Sequence, residues 1–359
     1  MDARYIVLLV FLVLLVWNLY LLFRNVSKEP FTNTNSDLEE YIQRFNDKEH
    51  RMFPFRYFTD ENDKVLPIVA VTGFFRGKDA EDRFREYKQK GVLIFGITAY
   101  KSFPNRDMMD ESEGEYERND TFEFTKEIRD WLCCFKDKTT YGFSSWNRTI
   151  DISESDFYTA EKDQDIKKKW DFIYICNKDS DSCPLNGWNA INRNFDLAKK
   201  CFPIMCKEMG LKGLIVGRDG CDLEKEYSKD QLEIVGWLDW HVLQERMRQS
   251  KCLFVPNVFD ASPRVVAECI TKDLAVLMNR KILCGSKYIT YETGELFTDE
   301  TDIRQAVINL KNKEYKISPK KWWEENYSQE KSQTKLRDFL ADCKYDLPFD
   351  KIRRVKFIL

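Results

Sequence analysis

The chain has 359 residues, with 57 lysines and arginines against 60 aspartates and glutamates, for a net charge of −3. This near balance argues against nucleic acid as the main partner, because phosphate-backbone binding needs a basic surface. The 11 cysteines form no CxxC pair and only His50 and His241 are present, so no metal site is expected and the cysteines read as mostly reduced core residues.

Residues 5–23 carry no charge and a single strongly polar side chain, Asn18. At about 1.5 Å per residue the run matches the roughly 30 Å hydrocarbon core of a bilayer, and it is expected to be a transmembrane helix. Trp17 and Tyr20 suit an interface, and Arg24 and Lys28 follow. The expected topology is single-pass, of type II signal-anchor kind; a cytoplasmic body remains the alternative. Residues 24–50 are polar and read as a stem. Sequons stand at Asn119, Asn147 and Asn326.

Leu66 to Thr72 predicts a buried strand, Asp79 to Lys90 a helix and Val92 to Ile97 a second buried strand, an order that suggests a parallel α/β sheet. The acidic stretch 104–165 shows no regular pattern. A second series follows: strands at Trp170–Cys176, Gly213–Gly217, Leu232–Gly236 and Cys252–Pro256, with a last strand at Leu274–Met278 closing the core. Helices are expected at 190–209, kinked at Pro203, at His241–Ser250 and from Pro263 onward. Trp322 and Trp323 are expected to pack a closing helix on the front domain. The chain divides into the anchor 1–23, the stem 24–50, a first Rossmann-like domain 51–165, a second 166–315 and C-terminal helices 316–359 packing back across both. Ligands of such sheets bind beyond the carboxyl ends of the strands, here in the cleft that the domains face.

The strongest chemical signal is Phe254-Val-Pro-Asn-Val-Phe-Asp-Ala-Ser-Pro-Arg-Val-Val-Ala-Glu-Cys269. A strand ends at Pro256, a loop carries Asp260, and Ser262 with Pro263 suits a helix start. The amides of that start face the strand ends and suit an anion such as a diphosphate, with Arg264 adding charge. Glu268 lies some 8 Å along the helix. Two carboxylates thus flank an anion site at about the span of a nucleotide's sugar-phosphate portion. Taken singly, Asp260 also suits an Asx turn, and Glu268 and Arg264 also suit a solvated helix.

Asp260-x7-Glu268 resembles the acid-x7-Glu motif of retaining GT-B glycosyltransferases of family-4 type, with Asp where Glu is usual in the first place. Gly213-Leu-Ile-Val-Gly217 and Val235-Gly-Trp-Leu238 resemble that family's strand and turn around the base pocket. Asp-Ala-Ser-Pro-Arg-Val, Leu277-Met-Asn-Arg280, Lys287-Tyr288 and Thr293-Gly-Glu-Leu-Phe297 are similar to a group of poorly characterised glycosyltransferases of algae and large algal viruses. The resemblance covers roughly residues 170–300. It implies a GT-B-like fold, with an acceptor-side first domain and a nucleotide-sugar-binding second one. It implies transfer of a sugar from a nucleoside diphosphate to a hydroxyl of a glycan, glycoprotein or glycolipid, without a required metal or other cofactor. Glu268 would hold the ribose, Asp260 the donor sugar, and the amides of Ala261, Ser262, Pro263 and Arg264 the sugar or diphosphate. Asn186-Gly187 stands where the family has Lys-Gly, so Lys178, Arg193 and Arg218 become the candidates for diphosphate charge. Gly73-Phe-Phe-Arg-Gly77 resembles the glycine loop that meets donor and acceptor. Two alternatives stay open: a catalytically inactive transferase-fold binding protein, and a metal-dependent GT-A transferase acting through the DxD-like Asp179-Ser-Asp181.

Overall fold

The computed structural model describes residues 35–98, 100–109, 119–160, 166–261, 263–313, 317–343 and 354–357. Two α/β domains are built around two six-stranded sheets. The first contains β1 (Phe55–Thr59), β2 (Val65–Val71), β3 (Leu93–Ile97), β4 (Asp130–Leu132) and β5 (Arg148–Ile150), with the C-terminal strand Lys356–Phe357 at its edge. β2 to β5 run parallel, while β1 is antiparallel both to β2 and to the C-terminal strand. All seven residues of β2 are buried, as a parallel strand covered on both faces requires. Helix α1 (Asn35–Gln43) lies beside β2, and α2 (Lys78–Lys90) packs Ala80, Phe84 and Tyr87 inward and ends at Gly91 in the left-handed conformation. A single turn, α3 (Phe124–Glu127), adds Phe124 to the same core.

The second sheet contains β6 (Phe172–Ile175), β7 (Gly213–Val216), β8 (Leu232–Val235), β9 (Cys252–Val255), β10 (Ala275–Asn279) and β11 (Gly294–Phe297). Its order is β11-β10-β9-β6-β7-β8, and every pairing is parallel. The chain builds outward from β6 to β8, then returns to place β9 on the other side of β6. The order therefore reverses between β6 and β9, and a doubly wound sheet opens a crevice at such a switch point, beyond the strands' carboxyl ends. Helices α4 (Trp188–Asn192), α5 (Phe195–Phe202), α6 (Trp240–Arg248), α7 (Arg264–Ile270) and α8 (Ile303–Asn312) accompany this sheet, and α9 (Pro319–Asn326) and α10 (Gln329–Asp342) follow.

Several expectations change. The helix foreseen over 190–209 is divided: Asn194 adopts a left-handed conformation between α4 and α5, and at Pro203 the winding widens into a π-helical turn to Glu208. The last core strand is β11 rather than β10; Gly294 is required there because a Cβ would meet the Val276 carbonyl oxygen at 2.0 Å. Trp323 packs mainly among Val266, Ile270 and Tyr288 of the second domain, with its indole donating to the carbonyl of Tyr158 at 2.9 Å, while α10 sends Leu336, Phe339 and Leu340 onto the first. Seven cysteines are free and buried, as expected of core thiols, but two disulfides are present, Cys134–Cys284 between the domains and Cys183–Cys221 within the second. The sequon residue Asn147 donates its side-chain amide to the carbonyls of Thr125 at 2.8 Å and Ile128 at 3.1 Å, so a glycan there would displace both bonds.

The expected membrane architecture is also corrected. Among the described residues no helix is long and apolar enough to cross a membrane. The segment 5–23 on which that expectation rested lies outside the described residues. The described residues thus give no support to the single-pass, signal-anchor and membrane-partner expectations.

Candidate active site

The carboxyl ends of β6 and β9 deliver the motif residues to the switch point. After β9 the chain turns through Asn257, which is buried, to Asp260, whose side chain is 10% exposed. The Asp260 carboxylate accepts from Arg193 Nη1 and from Asn257 Nδ2 at 3.1 Å. Arg193 is placed from behind. The Tyr174 hydroxyl of β6 donates to its carbonyl at 3.0 Å, and Asn194, one residue on, donates to the Pro256 carbonyl at 3.0 Å. Asn tolerates the left-handed conformation that this turn demands. Asp260 also meets the first domain: its backbone bridges to Tyr100, and Lys101 Nζ lies 4.4 Å from the ring centroid of Phe259.

Beyond Asp260 the loop is clamped between the domains. Ala261 is fully buried in the aromatic cluster of the first domain. Its carbonyl oxygen lies 2.9 Å from the sulfur of Cys134, and the Cys284 amide donates to the Asp260 carbonyl at 3.2 Å, so the interdomain disulfide touches the loop at both ends. Gly285 has a positive φ of 92°, and a Cβ there would meet Pro263 Cγ at 2.5 Å. Ser262 lies outside the described residues. The helix begins at Arg264 rather than Pro263, and Val266 N donates to the Pro263 carbonyl at 2.9 Å. Arg264 is exposed.

Glu268, half-buried on α7, accepts from the Tyr158 hydroxyl at 2.9 Å and from Gln244 Nε2 at 3.2 Å. Burial first, and the Glu268 charge second, push the Tyr158 phenol far above its ordinary range, so it remains a donor. Asp260 and Glu268 thus share one loop–helix unit with separate sets of partners.

The other predicted residues fall into two groups. Gly73 lies two residues beyond β2 and is buried; a Cβ there would come within 3.1 Å of the Phe53 ring and 3.4 Å of the Tyr100 hydroxyl. Phe74 and Phe75 enter the core, and Arg76 stacks 4.4 Å over Phe53. This loop therefore meets the same Tyr100 that bridges to Asp260. Arg218 serves the base of α4 instead, and Lys178 the loops beside it. Lys178 pairs with Asp181 at 3.0 Å and Asp219 at 3.8 Å. Arg218 is wholly buried, with Nε and Nη2 on the Cys176 sulfur at 3.2 and 3.0 Å, Asp179 at 3.5 Å and Phe195 beneath its guanidinium. Burial pushes the Cys176 thiol up, against the pull of Arg218.

Asp179, half of the DxD-like triplet, caps α4 by accepting from the amides of Asn189 at 2.7 Å and Ala190 at 3.1 Å. Gly187 allows this approach, since a Cβ would lie 2.3 Å from the Asp179 carboxyl carbon. Among the described residues no cluster of His, Cys, Asp or Glu could hold a metal ion. A cavity lined by Phe172, Cys252, Ala275 and Val307 lies at the amino ends of β6, β9 and β10, the opposite end of the sheet from Asp260. Sequence reasoning missed Asn257, Tyr100, Tyr158, Gln244 and Gly285. Asn257 stands in the motif itself, whereas the others come from distant segments without a local signal.

No protein-family model matches the chain, and no curated protein matches it at a significant level. Solved structures share its fold. A variant of S. aureus TarM in complex with fondaparinux, α-GlcNAc-glycerol and UDP superposes with a TM-score of 0.54 at 13% identity, over 73% of this chain and 53% of that one. The pneumococcal O-GlcNAc transferase GtfA in complex with UDP and GlcNAc gives 0.54 at 11%, over 74% and 55%. Sucrose-phosphate synthase from Thermosynechococcus elongatus gives 0.54 at 12%, over 88% and 81%. The chain spans about half the length of the TarM and GtfA structures. At these identities the likeness is one of fold, two α/β domains arranged as in GT-B glycosyltransferases.

Proposed function

We propose that the chain is a metal-independent glycosyltransferase that moves a sugar from a nucleoside-diphosphate donor to a hydroxyl of a glycan, glycoprotein or glycolipid. The observation that supports this reading is that Asp260, the acid of the acid-x7-Glu pair, follows β9 beside the reversal between β6 and β9 and carries the cation Arg193, while Glu268 lies on the helix that comes next. Structures of similar fold, TarM and GtfA, were solved with UDP. In this reading Glu268 receives the ribose hydroxyls and Asp260 the donor sugar. Arg193, with Arg264 and the amides at the start of α7, balances the charge that develops on the diphosphate as the anomeric C–O bond breaks. The acceptor oxygen then bonds to the anomeric carbon, and its proton leaves with the diphosphate. A retaining outcome, and membership of the family-4-type enzymes and their algal and viral relatives, rest on the motifs and belong to the same proposal.

The test is a panel of UDP- and GDP-sugars given to the purified protein, read by released nucleotide with and without chelator. Turnover that survives chelator and is abolished in folded Asp260→Ala and Glu268→Ala variants is expected. Unchanged turnover in both variants, or full loss with chelator, refutes the assignment. The anomeric configuration of the product, read by NMR, tests the retaining outcome.

A further inference from the structure

Glu268 is held at both oxygens before any ligand arrives. On one side stands Tyr158, a residue of the segment that leaves the first sheet after β5. On the other stands Gln244 of α6, 2% exposed, whose amide nitrogen faces Glu268 while its carbonyl oxygen is buried with no hydrogen-bond partner among the described atoms. A buried unpaired carbonyl is costly. Flipping the amide would turn the same oxygen against a carboxylate, which is worse. The arrangement makes sense if the donor end of Gln244 is committed to Glu268. Tyr158 is fixed in turn: its carbonyl accepts from the indole of the buried Trp323 at 2.9 Å. Two residues earlier, Asp156 accepts from Tyr288 and, at 2.8 Å, from Lys287 of the second domain.

We infer that Tyr158 and Gln244 are positioning residues that aim the Glu268 carboxylate at the donor's ribose, and that Tyr158 makes this aim depend on how the interdomain segment is seated. The inference rests on the reading of Glu268 as the ribose-binding acid. Each Glu268 oxygen gives one lone pair to the clamp and keeps the other for a sugar hydroxyl. A clamped carboxylate loses less rotamer freedom when the donor binds than a free glutamate would.

The test is calorimetric binding of UDP and of GDP to wild type, Glu268→Ala, Tyr158→Phe and Gln244→Glu between pH 5 and pH 8, with fold checked by circular dichroism. Tyr158→Phe removes one hydroxyl and is expected to weaken binding about two- to tenfold, the cost of immobilising a glutamate side chain that is no longer held beforehand. Gln244→Glu sets two carboxylates together, which raises the proton affinity of the pair. Its binding is therefore expected to be weak at pH 8 and to recover towards pH 5, where one shared proton restores a donor to Glu268. The charged groups around this pair are Arg264 on the same helix, Lys272 just beyond it and Glu154 beside Tyr158. A merely structural role for Gln244 gives no such pH signature. If Glu268→Ala loses binding while Tyr158→Phe and Gln244→Glu bind like wild type at every pH, the positioning inference is overturned and the ribose reading stands. If Glu268→Ala binds like wild type, or wild type binds neither nucleotide, both fall.

Discussion

Cutting the Cys134–Cys284 bridge is expected to destabilise the protein and to unfasten the loop that carries Asp260. The two cysteines are 150 residues apart, on the first and second domains. In the chain-entropy account a cross-link over that separation stabilises by about 5 kcal/mol at 25 °C, through restriction of the unfolded chain. Native contacts reduce the loss. A freed Cys134 thiol has the Ala261 carbonyl 2.9 Å away as acceptor, and the Cys284 amide keeps its bond to Asp260 at 3.2 Å. The domains also stay joined by Ser153 and Tyr288, whose hydroxyls are 2.9 Å apart, and by the ion pair of Lys287 with Asp156. The expected net loss for Cys134→Ser/Cys284→Ser is therefore about 2–4 kcal/mol, the common range for removing a native disulfide.

The assay is equilibrium urea unfolding followed by both tryptophan fluorescence and far-ultraviolet circular dichroism, because two domains can unfold in separate steps. The midpoint should fall, and the two probes, coincident in the wild type, should separate as the domains uncouple. The second bridge, Cys183–Cys221, spans 38 residues within one domain, so its removal should lower the midpoint without separating the probes. Equal midpoints for wild type and the Cys134→Ser/Cys284→Ser variant would refute the argument. So would peptide mapping that finds Cys134 and Cys284 unlinked in the native protein.

Thiol counting offers an independent check. Burial pushes the Cys133 thiol up to about 11 and those of Cys201 and Cys206 to about 12, so iodoacetamide at pH 8 should label none of the seven free cysteines in the folded protein, all seven after unfolding without reductant, and eleven after reduction. Arg193→Ala removes the Arg193 guanidinium from the nearly buried Asp260 carboxylate and should cut donor turnover by about thirtyfold or more, as truncating one member of a buried hydrogen-bonded charge pair does; turnover at the wild-type rate would exclude Arg193 from the site. Burial also raises the Asp120 carboxyl above the usual carboxylate range, although the amides of Phe122 and Phe75 and the Arg106 charge oppose it. The folded protein then holds this proton more tightly than the unfolded chain. Its stabilising contribution is complete below the unfolded value near pH ~4 and is lost as pH rises through the folded value. The stability of wild type minus Asp120→Asn, from urea midpoints, should fall over that window, and a difference constant with pH would contradict the shift.

The parts of the fold that were legible are those whose physics is local. Leu66–Thr72 reads as a strand, observed at Val65–Val71, because a short apolar run has no other economical place than a sheet covered on both faces. The region 104–165 gave nothing, for an equally physical reason. Its elements that lie wholly within the described residues are three- and four-residue segments. Its core is a cluster of rings, in which Phe122 and Phe124 pack on Phe75 and Trp131 packs on Phe103, itself against Phe74, with no period along the chain. Strand β1 was missed although its turn was chemically marked: Asp60 accepts from the amides of Asn62 at 2.8 Å and Lys64 at 2.9 Å, the Asx geometry that closes the hairpin. The site divides in the same way. Asp260 and Glu268 could be found together because one loop and one short helix hold both. Arg193 reaches Asp260 from 67 positions away, and Tyr158 reaches Glu268 from 110, so their meeting is a property of the sheet order and not of any spacing. Arg193 and Arg218 were named for their charge alone, and Lys178 also for its place after β6; charge does not distinguish a cation at the crevice from one sealed beneath α4. What separates Arg193 from Arg218 is the strands to which each is tied. Arg218 leaves β7, one strand away from the reversal, whereas Arg193 is tied by Tyr174 and Pro256 to β6 and β9, the two strands between which the crevice opens.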